Sequence, residues 1–153
     1  MVVRRSIKGD FLEIVRMARA LWPDAEGLKK ELADRRCTFF VAEVEGGLEG
    51  KLVGFIVLTV RRDYVEGSTS SPVGYVEGIF VERAWRSRKV GAKLIRAAES
   101  WCVEKGFSEL GSDVEAKNKA SQRFHTRVGF LRGDLIVPYI KRIKKVRRKR
   151  RTL

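Results

Sequence analysis

The spacing of apolar residues changes several times along the chain, and each change predicts a new strand or helix. Alternating or continuous apolar runs predict strands at 2–7, 38–44, 52–60, 73–81 and 108–114. Apolar residues every three or four positions predict helices over 10–22, about 24–35, 90–105 and 119–128. Pro23, Gly106 and Gly129 stand where three of these helices should end. Apolar residues from Phe130 onward predict one or two final strands.

This order of elements indicates one α/β (α+β) domain with a mixed central sheet. We expect six to seven strands and about four helices. Neither an internal repeat nor a linker to a second domain is visible in the pattern. The predicted boundaries are residues 1–143 for the domain and residues 144–153 for a basic C-terminal tail.

The formal charge of +14 is concentrated at the C-terminal end. Nine of the 33 Lys and Arg residues lie between Lys141 and Arg151, where no acidic residue occurs. The rest of the chain is only mildly basic. A block of like charges stays solvated unless a polyanion or an acidic surface neutralises it. The tail is therefore either a solubilising segment or a contact for RNA, the ribosome or an acidic protein.

The cysteine, histidine and apolar content excludes several classes of protein. Cys37 and Cys102 lack metal-ligand spacing and the chain has a single histidine, so no metal site is expected. No apolar run is long enough to span a bilayer, and no membrane partner is expected. The basic N-terminus is interrupted by Lys8 and Asp10 before a signal core could form, which by default favours a cytoplasmic protein with reduced thiols.

The segment from strand 73–81 to helix 90–105 holds the first candidate site. Its connecting turn is basic and carries Arg86, Arg88 and Lys89. A helix N-terminus presents unpaired N–H groups and a partial positive charge, which suits a pyrophosphate. The pattern alone leaves phosphate binding and an ordinary exposed turn both open.

The turn resembles the acetyl-CoA-binding motif Q/R-x-x-G-x-G/A of the GNAT superfamily of N-acetyltransferases. Arg86 and Gly91 fit the motif, whereas Lys89 stands where the family usually has glycine. A second stretch, from Asn118 to Phe130, is similar to the family pattern N-x-x-A-x-x-x-Y-x-x-x-G-F beside the pantetheine arm. Together the two motifs and the order of elements cover most of the chain before the tail, and imply a GNAT-like fold with acetyl-CoA as cosubstrate.

The resemblance also implies which residues bind that cosubstrate. Backbone N–H groups near the end of the fourth strand would hold the thioester carbonyl as its oxygen gains charge. The turn would hold the pyrophosphate, and the second motif would line the pantetheine arm. The implied cofactor-binding residues are Ile79, Phe80, Val81, Arg86, Ser87, Arg88, Lys89, Val90, Gly91, Ala92, Asn118 and Ser121.

Within the superfamily, residues 75–81 and 111–113 look most like aminoglycoside 6′-N-acetyltransferases. By that resemblance, Glu77 and Asp113 lie beside the acceptor amine. An ammonium ion must lose a proton before its nitrogen can attack a thioester, and a carboxylate can both attract the cation and accept the proton. Glu77 also interrupts an apolar strand, where a charge is costly unless it is paired or used. Pairing of Glu77 with an arginine, and a capping role for Asp113, are the structural alternatives.

His125, the only histidine, stands where the family commonly has the tyrosine that protonates the departing thiolate. Histidine changes charge near neutral pH and suits a proton donor or relay. A lone histidine on a helix is more often a packed or surface residue, which is the structural alternative, and Tyr139 is a second candidate donor.

The acceptor is the least determined part of the prediction, because fold kinship does not fix a substrate. An aminoglycoside-like amine is one expectation, with direct attack in a ternary complex. A protein or peptide amine, reached by docking the tail on a ribosome or nucleic acid, is another. The third interpretation is a non-catalytic acyl-CoA-binding module in which Lys89 has altered the turn. A homodimer is also an open expectation.

Overall fold

The computed structural model describes residues 1–23, 30, 34, 36–46 and 50–143. Its strands are β1 (Val2–Arg5), β2 (Thr38–Val44), β3 (Lys51–Arg61), β4 (Val73–Val81) and β5 (Leu110–Ser112). Its α-helices are α1 (Phe11–Ala18), α2 (Val90–Lys105) and α3 (Lys119–Arg127). Short 3-10 turns at Lys8–Asp10 and Arg83–Trp85 precede α1 and α2.

The five strands form one sheet in the order β1-β2-β3-β4-β5. The first four are antiparallel neighbours, and β5 joins β4 in parallel through residues 74–76. The register between β3 and β4 shifts so that Val57 faces Gly78 while Leu58 faces Val76. Glu77 is therefore the extra residue of a β-bulge, a feature that bends a strand and re-aims its side chains.

Apolar residues cover both faces of the sheet, as the continuous apolar run of β3 predicts. One core lies under α2 and includes Ile56, Leu58, Leu94, Ile95 and Trp101. The opposite core lies under α1 and includes Ile14, Phe39, Val41, Phe55 and Val57. The two helices thus pack on opposite sides of β3, which is buried from Leu52 to Leu58.

The expected mixed α/β architecture is confirmed, but its element count is wrong. The described residues hold five strands and three α-helices instead of six to seven strands and about four helices. Residues 130–143 form no strand, and every residue from Leu131 to Ile143 is exposed. These residues pair with no strand of the described chain. The helix predicted over about 24–35 falls largely outside the described residues, as does the tail at 144–153.

Candidate active site

The end of β4 carries backbone donors that its neighbours leave unused. The N–H of Glu82 donates to the carbonyl of Val53 on β3, at 2.9 Å. Alternate N–H groups of a strand point to opposite sides, so those of Val81 and Ile79 point away from β3. On that side β5 has already ended, because its pairing with β4 stops at Val76 and Ser112. The last residues of β4 therefore line an open wedge with donors available to a carbonyl oxygen.

The basic turn lies at the mouth of this wedge and starts α2. Residues 86–89 are exposed, and Ser87 and Lys89 both have left-handed backbone, with φ of 61° and 62°. Arg86 is tied to the wedge because its Nε donates to the carbonyl of Val81 at 3.0 Å. The N–H groups of the first turn of α2 have no partner within the helix. The turn can therefore present cationic side chains and backbone donors to the same anion.

Two of the residues predicted to bind acetyl-CoA, Val90 and Gly91, contribute to packing instead of presenting a side chain to the turn. Val90 is 1% exposed, so its side chain belongs to the core and only its backbone faces the turn. A Cβ on Gly91 would lie 2.8 Å from Cε2 of Phe124 on α3. Gly91 thus allows α2 and α3 to approach closely, and this contact fixes the separation of the two helices that flank the wedge.

The second predicted motif forms the start of α3. Asn118 caps the helix, and its side-chain oxygen accepts from the N–H of Ser121 at 3.0 Å. Asn118 therefore has a structural role whether or not a ligand is present. Ser121 lies one turn before His125, and its hydroxyl is 3.4 Å from Nδ1 of that ring.

His125 is hydrogen-bonded at both ring nitrogens. Nδ1 lies 2.8 Å from the carbonyl of Ser121, which can only accept, so Nδ1 carries a proton. Nε2 lies 2.9 Å from the hydroxyl of Ser112 at the end of β5. In the neutral ring, Nε2 accepts from that hydroxyl. The ring packs edge-on against Phe124 and Phe130. His125 thereby joins α3 to the β5 side of the wedge.

Glu77 on β4 accepts hydrogen bonds from two side chains, those of Thr59 and Arg61. Thr59 donates its hydroxyl to Oε1 at 2.5 Å. The guanidinium of Arg61 donates to both carboxylate oxygens, with Nη2 at 3.1 Å from Oε1 and 3.0 Å from Oε2. Thr59 and Arg61 lie on the same face of the sheet as Glu77, because Thr59 pairs with Tyr75, two residues before Glu77. The structure therefore contains the arginine pair that was the structural alternative for Glu77.

Asp113 directly follows β5 and accepts a hydrogen bond from the hydroxyl of Tyr75, at 2.8 Å. Burial of the phenol, and after it this bond to Asp113, raise the pKa of Tyr75 to about 12. The phenol therefore remains a donor at neutral pH. The guanidinium carbon of Arg61 lies 3.4 Å from the centre of the Tyr75 ring. Glu77 and Asp113 are thus linked through Arg61 and Tyr75 instead of touching each other.

Sequence reasoning missed Thr59, Arg61 and Tyr75 as members of this cluster. Tyr75 has the pattern of an ordinary apolar strand residue, and its partner Asp113 is 38 residues away. Arg61 carries one usable signal, since it is a charged residue that ends an apolar strand. Its partner becomes visible only when the register of β3 and β4 is known.

No group of three or more His, Cys, Asp or Glu residues able to hold a metal occurs among the residues described. Within the same part of the chain, no helix is long and apolar enough to cross a membrane. Cys102 is buried, which raises the pKa of its thiol to about 11.

Comparison with known proteins decides the family. The model of the Acetyltransferase (GNAT) family matches residues 9–130. The chain belongs to the GNAT family. An aminoglycoside N(6′)-acetyltransferase type 1 from Serratia marcescens is 37% identical over 128 residues, covering 80% of this chain and 86% of that protein. Its counterpart from Stenotrophomonas maltophilia is 33% identical over 139 residues, covering 88% and 89%.

Solved structures that resemble this chain are also aminoglycoside 6′-N-acetyltransferases. Apo aminoglycoside 6′-N-acetyltransferase AAC(6′)-IG from Acinetobacter haemolyticus has a TM-score of 0.85 and 28% identity, covering 94% of this chain and 100% of that one. AAC(6′)-Iy, in complex with a bisubstrate analogue of CoA and acetylneamine, has a TM-score of 0.83 and 32% identity, with coverages of 93% and 98%. The predicted superfamily and its aminoglycoside 6′-N-acetyltransferase branch are confirmed. This GNAT protein is an acetyl-CoA-dependent N-acetyltransferase, as expected.

Proposed function

We propose that this GNAT enzyme acetylates a primary amine of an aminoglycoside, with the 6′ amine as the favoured position. The observation that carries the proposal is the pair of sites on either side of β4. A basic turn and backbone donors lie on the α2 side, and a cluster with two carboxylates lies nearer the start of the strand. Relatives and solved neighbours named as aminoglycoside 6′-N-acetyltransferases support the choice of acceptor.

On this proposal, the residues from Arg86 to Ala92 bind the pyrophosphate of acetyl-CoA. Their cationic side chains and the first-turn N–H groups of α2 supply the charge and donors for it. The N–H groups of Ile79 and Val81 polarise the thioester carbonyl, while Phe80 lies between them on the opposite face against Phe55. Asn118 and Ser121 place the start of α3 beside the pantetheine arm.

The transfer itself is a direct attack within a ternary complex. The amine nitrogen forms a bond to the thioester carbon, and the C–S bond then breaks to release the thiolate of coenzyme A. Glu77 and Asp113 attract the acceptor ammonium, and Glu77 accepts its proton directly or through water. With a proton on both ring nitrogens, His125 donates from Nε2 to the oxygen of Ser112, the hydroxyl of Ser112 passes its own proton to the thiolate, and the ring regains a proton from solvent.

A pair of isosteric variants tests the roles of the two acids. Asp113→Asn keeps the shape and removes the charge, so we expect kcat/KM for the amine to fall about tenfold to a thousandfold, on the order of 1.4–4 kcal/mol. Acetyl-CoA binding should hardly change, because neither acid faces the turn. Glu77→Gln should also change the shape of the pH–rate profile if Glu77 is the base. Parent rates in both variants would mean that the pair is structural.

The alternative acceptors can be separated with one panel. Acetyl-CoA turnover is measured with aminoglycosides, peptides bearing a free α-amine, and no acceptor. Preference for peptides would favour a protein N-acetyltransferase docked by the basic tail, and binding of acetyl-CoA without any transfer would favour a non-catalytic module.

Truncation at Lys144 tests the tail: if the tail contacts RNA, truncation should lower both the RNA affinity and the salt dependence of that affinity. A cytoplasmic location remains a prediction that suits a cosubstrate made inside the cell.

We also propose a homodimer built through residues 130–143, called here the C-terminal arm. Large apolar side chains on the arm are exposed, namely Leu131, Leu135, Ile136, Val137, Tyr139, Ile140 and Ile143. The outer edge of β5 is unpaired in the described chain, and a cleft of 490 Å³ opens beside it, lined partly by Val65, Leu110 and Phe130. Each copy thus offers both an apolar arm and an uncovered edge, which permits a reciprocal, two-fold exchange.

Sedimentation equilibrium tests this assembly. The double variant Leu135→Asp with Ile140→Asp should be monomeric, because charges on the arm would enter the interface. Leu12→Asp is the matched control, since Leu12 is a comparably exposed apolar residue on α1, which packs on the sheet face opposite to α2. A monomeric parent protein, or dimers of equal strength in all three proteins, would exclude the arm as the interface.

A further inference from the structure

Arg61 lies on the proposed acceptor side of the site. Its guanidinium bonds both oxygens of Glu77 and lies over the ring of Tyr75, with its carbon 3.4 Å from the ring centre. A carboxylate and an aromatic face are the groups that bind an organic cation. The internal guanidinium therefore uses the contacts that the ammonium group of an acceptor would need.

This arrangement is open to exchange. The side chains of Arg61 and Glu77 are 41% and 33% exposed, and ion pairs this accessible to water contribute little to stability. Arg61 is the last residue of β3, so its side chain can swing outward at the cost of its contact with the ring of Tyr75. Glu77 remains bonded to Thr59 when Arg61 leaves.

We propose that Arg61 is an internal competitor of the acceptor and a specificity-determining residue. Its guanidinium fills the ammonium subsite at Glu77 in the free enzyme and moves aside when an amine binds. This inference rests on the proposed amine acetyltransferase function.

Displacement has two consequences for substrate choice. Every amine must exchange one ion pair for another, which raises KM for all acceptors. The displaced guanidinium then stays near the site mouth and repels any further ammonium groups of the acceptor within about 10 Å at moderate salt. Arg61 therefore acts more strongly against acceptors with several ammonium groups than against monoamines.

Arg61→Gln tests the proposal, with Arg62→Gln as the matched control. Arg62 is exposed, and the structure gives its side chain no ion pair or hydrogen bond among the described residues, so its loss removes the same charge without the contacts. Acceptor binding is measured by calorimetry with coenzyme A in place of acetyl-CoA, and KM by steady-state kinetics. The acceptors are a tetra-amino aminoglycoside and a simple monoamine. Thermal unfolding of each variant verifies that it is folded.

We expect Arg61→Gln to lower Kd and KM about three- to tenfold for the polyamine and less for the monoamine, with kcat nearly unchanged. The difference between the two acceptors should shrink at high salt, and Arg61→Lys should fall between the parent and Arg61→Gln. Weaker amine binding in Arg61→Gln, or an equal effect in Arg62→Gln, would overturn the proposal. If the parent acetylates amines and either of these results is found, the inference alone fails. If the parent neither binds nor acetylates any amine, the proposed function fails with it.

Discussion

Lys89 gives the sharpest test of the cofactor turn, because its backbone conformation and its charge can be separated. Its φ of 62° and ψ of 12° lie in the left-handed region. For a residue with a Cβ this conformation costs about 1–2 kcal/mol, and glycine adopts it without that penalty. Glycine loses more entropy on folding, about 0.5–1 kcal/mol relative to alanine, which offsets part of the gain. We therefore expect Lys89→Gly to be about 1 kcal/mol more stable than Lys89→Ala.

The comparison of the two variants removes the effect of charge, since both lack the lysine ammonium. For a chain of this size, 1 kcal/mol corresponds to a rise in Tm of roughly 2–4 °C. Thermal unfolding of Lys89→Gly, Lys89→Ala and the parent protein at one pH measures it. Ala and Gly variants of the neighbouring Lys93 on α2 are the control, where glycine should instead be destabilising. Equal Tm values for the two Lys89 variants would refute a strained left-handed turn.

Three further predictions concern packing and titration. Gly91→Ala should destabilise the fold by about 1–2 kcal/mol in urea unfolding, since the new Cβ would meet the ring of Phe124 at 2.8 Å. The hydrogen bond from Arg4 lowers the pKa of Asp10, so ionised Asp10 stabilises the fold above its unfolded pKa of about 3.9, and this stabilisation is lost as the pH falls below that value. Asp10→Asn should therefore lower the free energy of unfolding by about 1–3 kcal/mol at pH 7. The variant should also lose less stability than the parent protein between neutral and acid pH. The pKa of Tyr75 is raised to about 12, so its neutral phenol contributes fully to stability below the unfolded pKa of about 10 and contributes less as the pH rises towards 12. Urea unfolding should show this alkaline loss of stability in the parent protein and not in Tyr75→Phe.

The sequence predicts the elements whose signals are local. Strands β2 and β4 begin and end where the apolar runs do, and α2 ends at Gly106, whose φ of 77° needs glycine. The Asn118 cap and the basic turn are local signals as well. Both candidate motifs can therefore be recognised from the order of residues alone.

Long-range pairing accounts for what the sequence does not predict. The contact of Arg61 with Glu77 depends on the register of β3 against β4, which shifts at the β-bulge. The contact of Tyr75 with Asp113 depends likewise on the parallel pairing of β5. The prediction of final strands is wrong: the apolar residues after Phe130 indicate pairing, but residues 131–143 pair with no strand of the described chain, although the outer edge of β5 is open.

Direct identification of the acetylated atom tests the central claim most directly. The purified protein is incubated with acetyl-CoA and either an aminoglycoside with a 6′ amine or its analogue with a 6′ hydroxyl, and the products are examined by mass spectrometry and NMR. We predict one acetyl group on the 6′ nitrogen of the first compound, matched by release of one coenzyme A thiol, and no product from the second. Equal acetylation of both compounds, or coenzyme A release that is independent of an amine, would contradict the proposed acceptor.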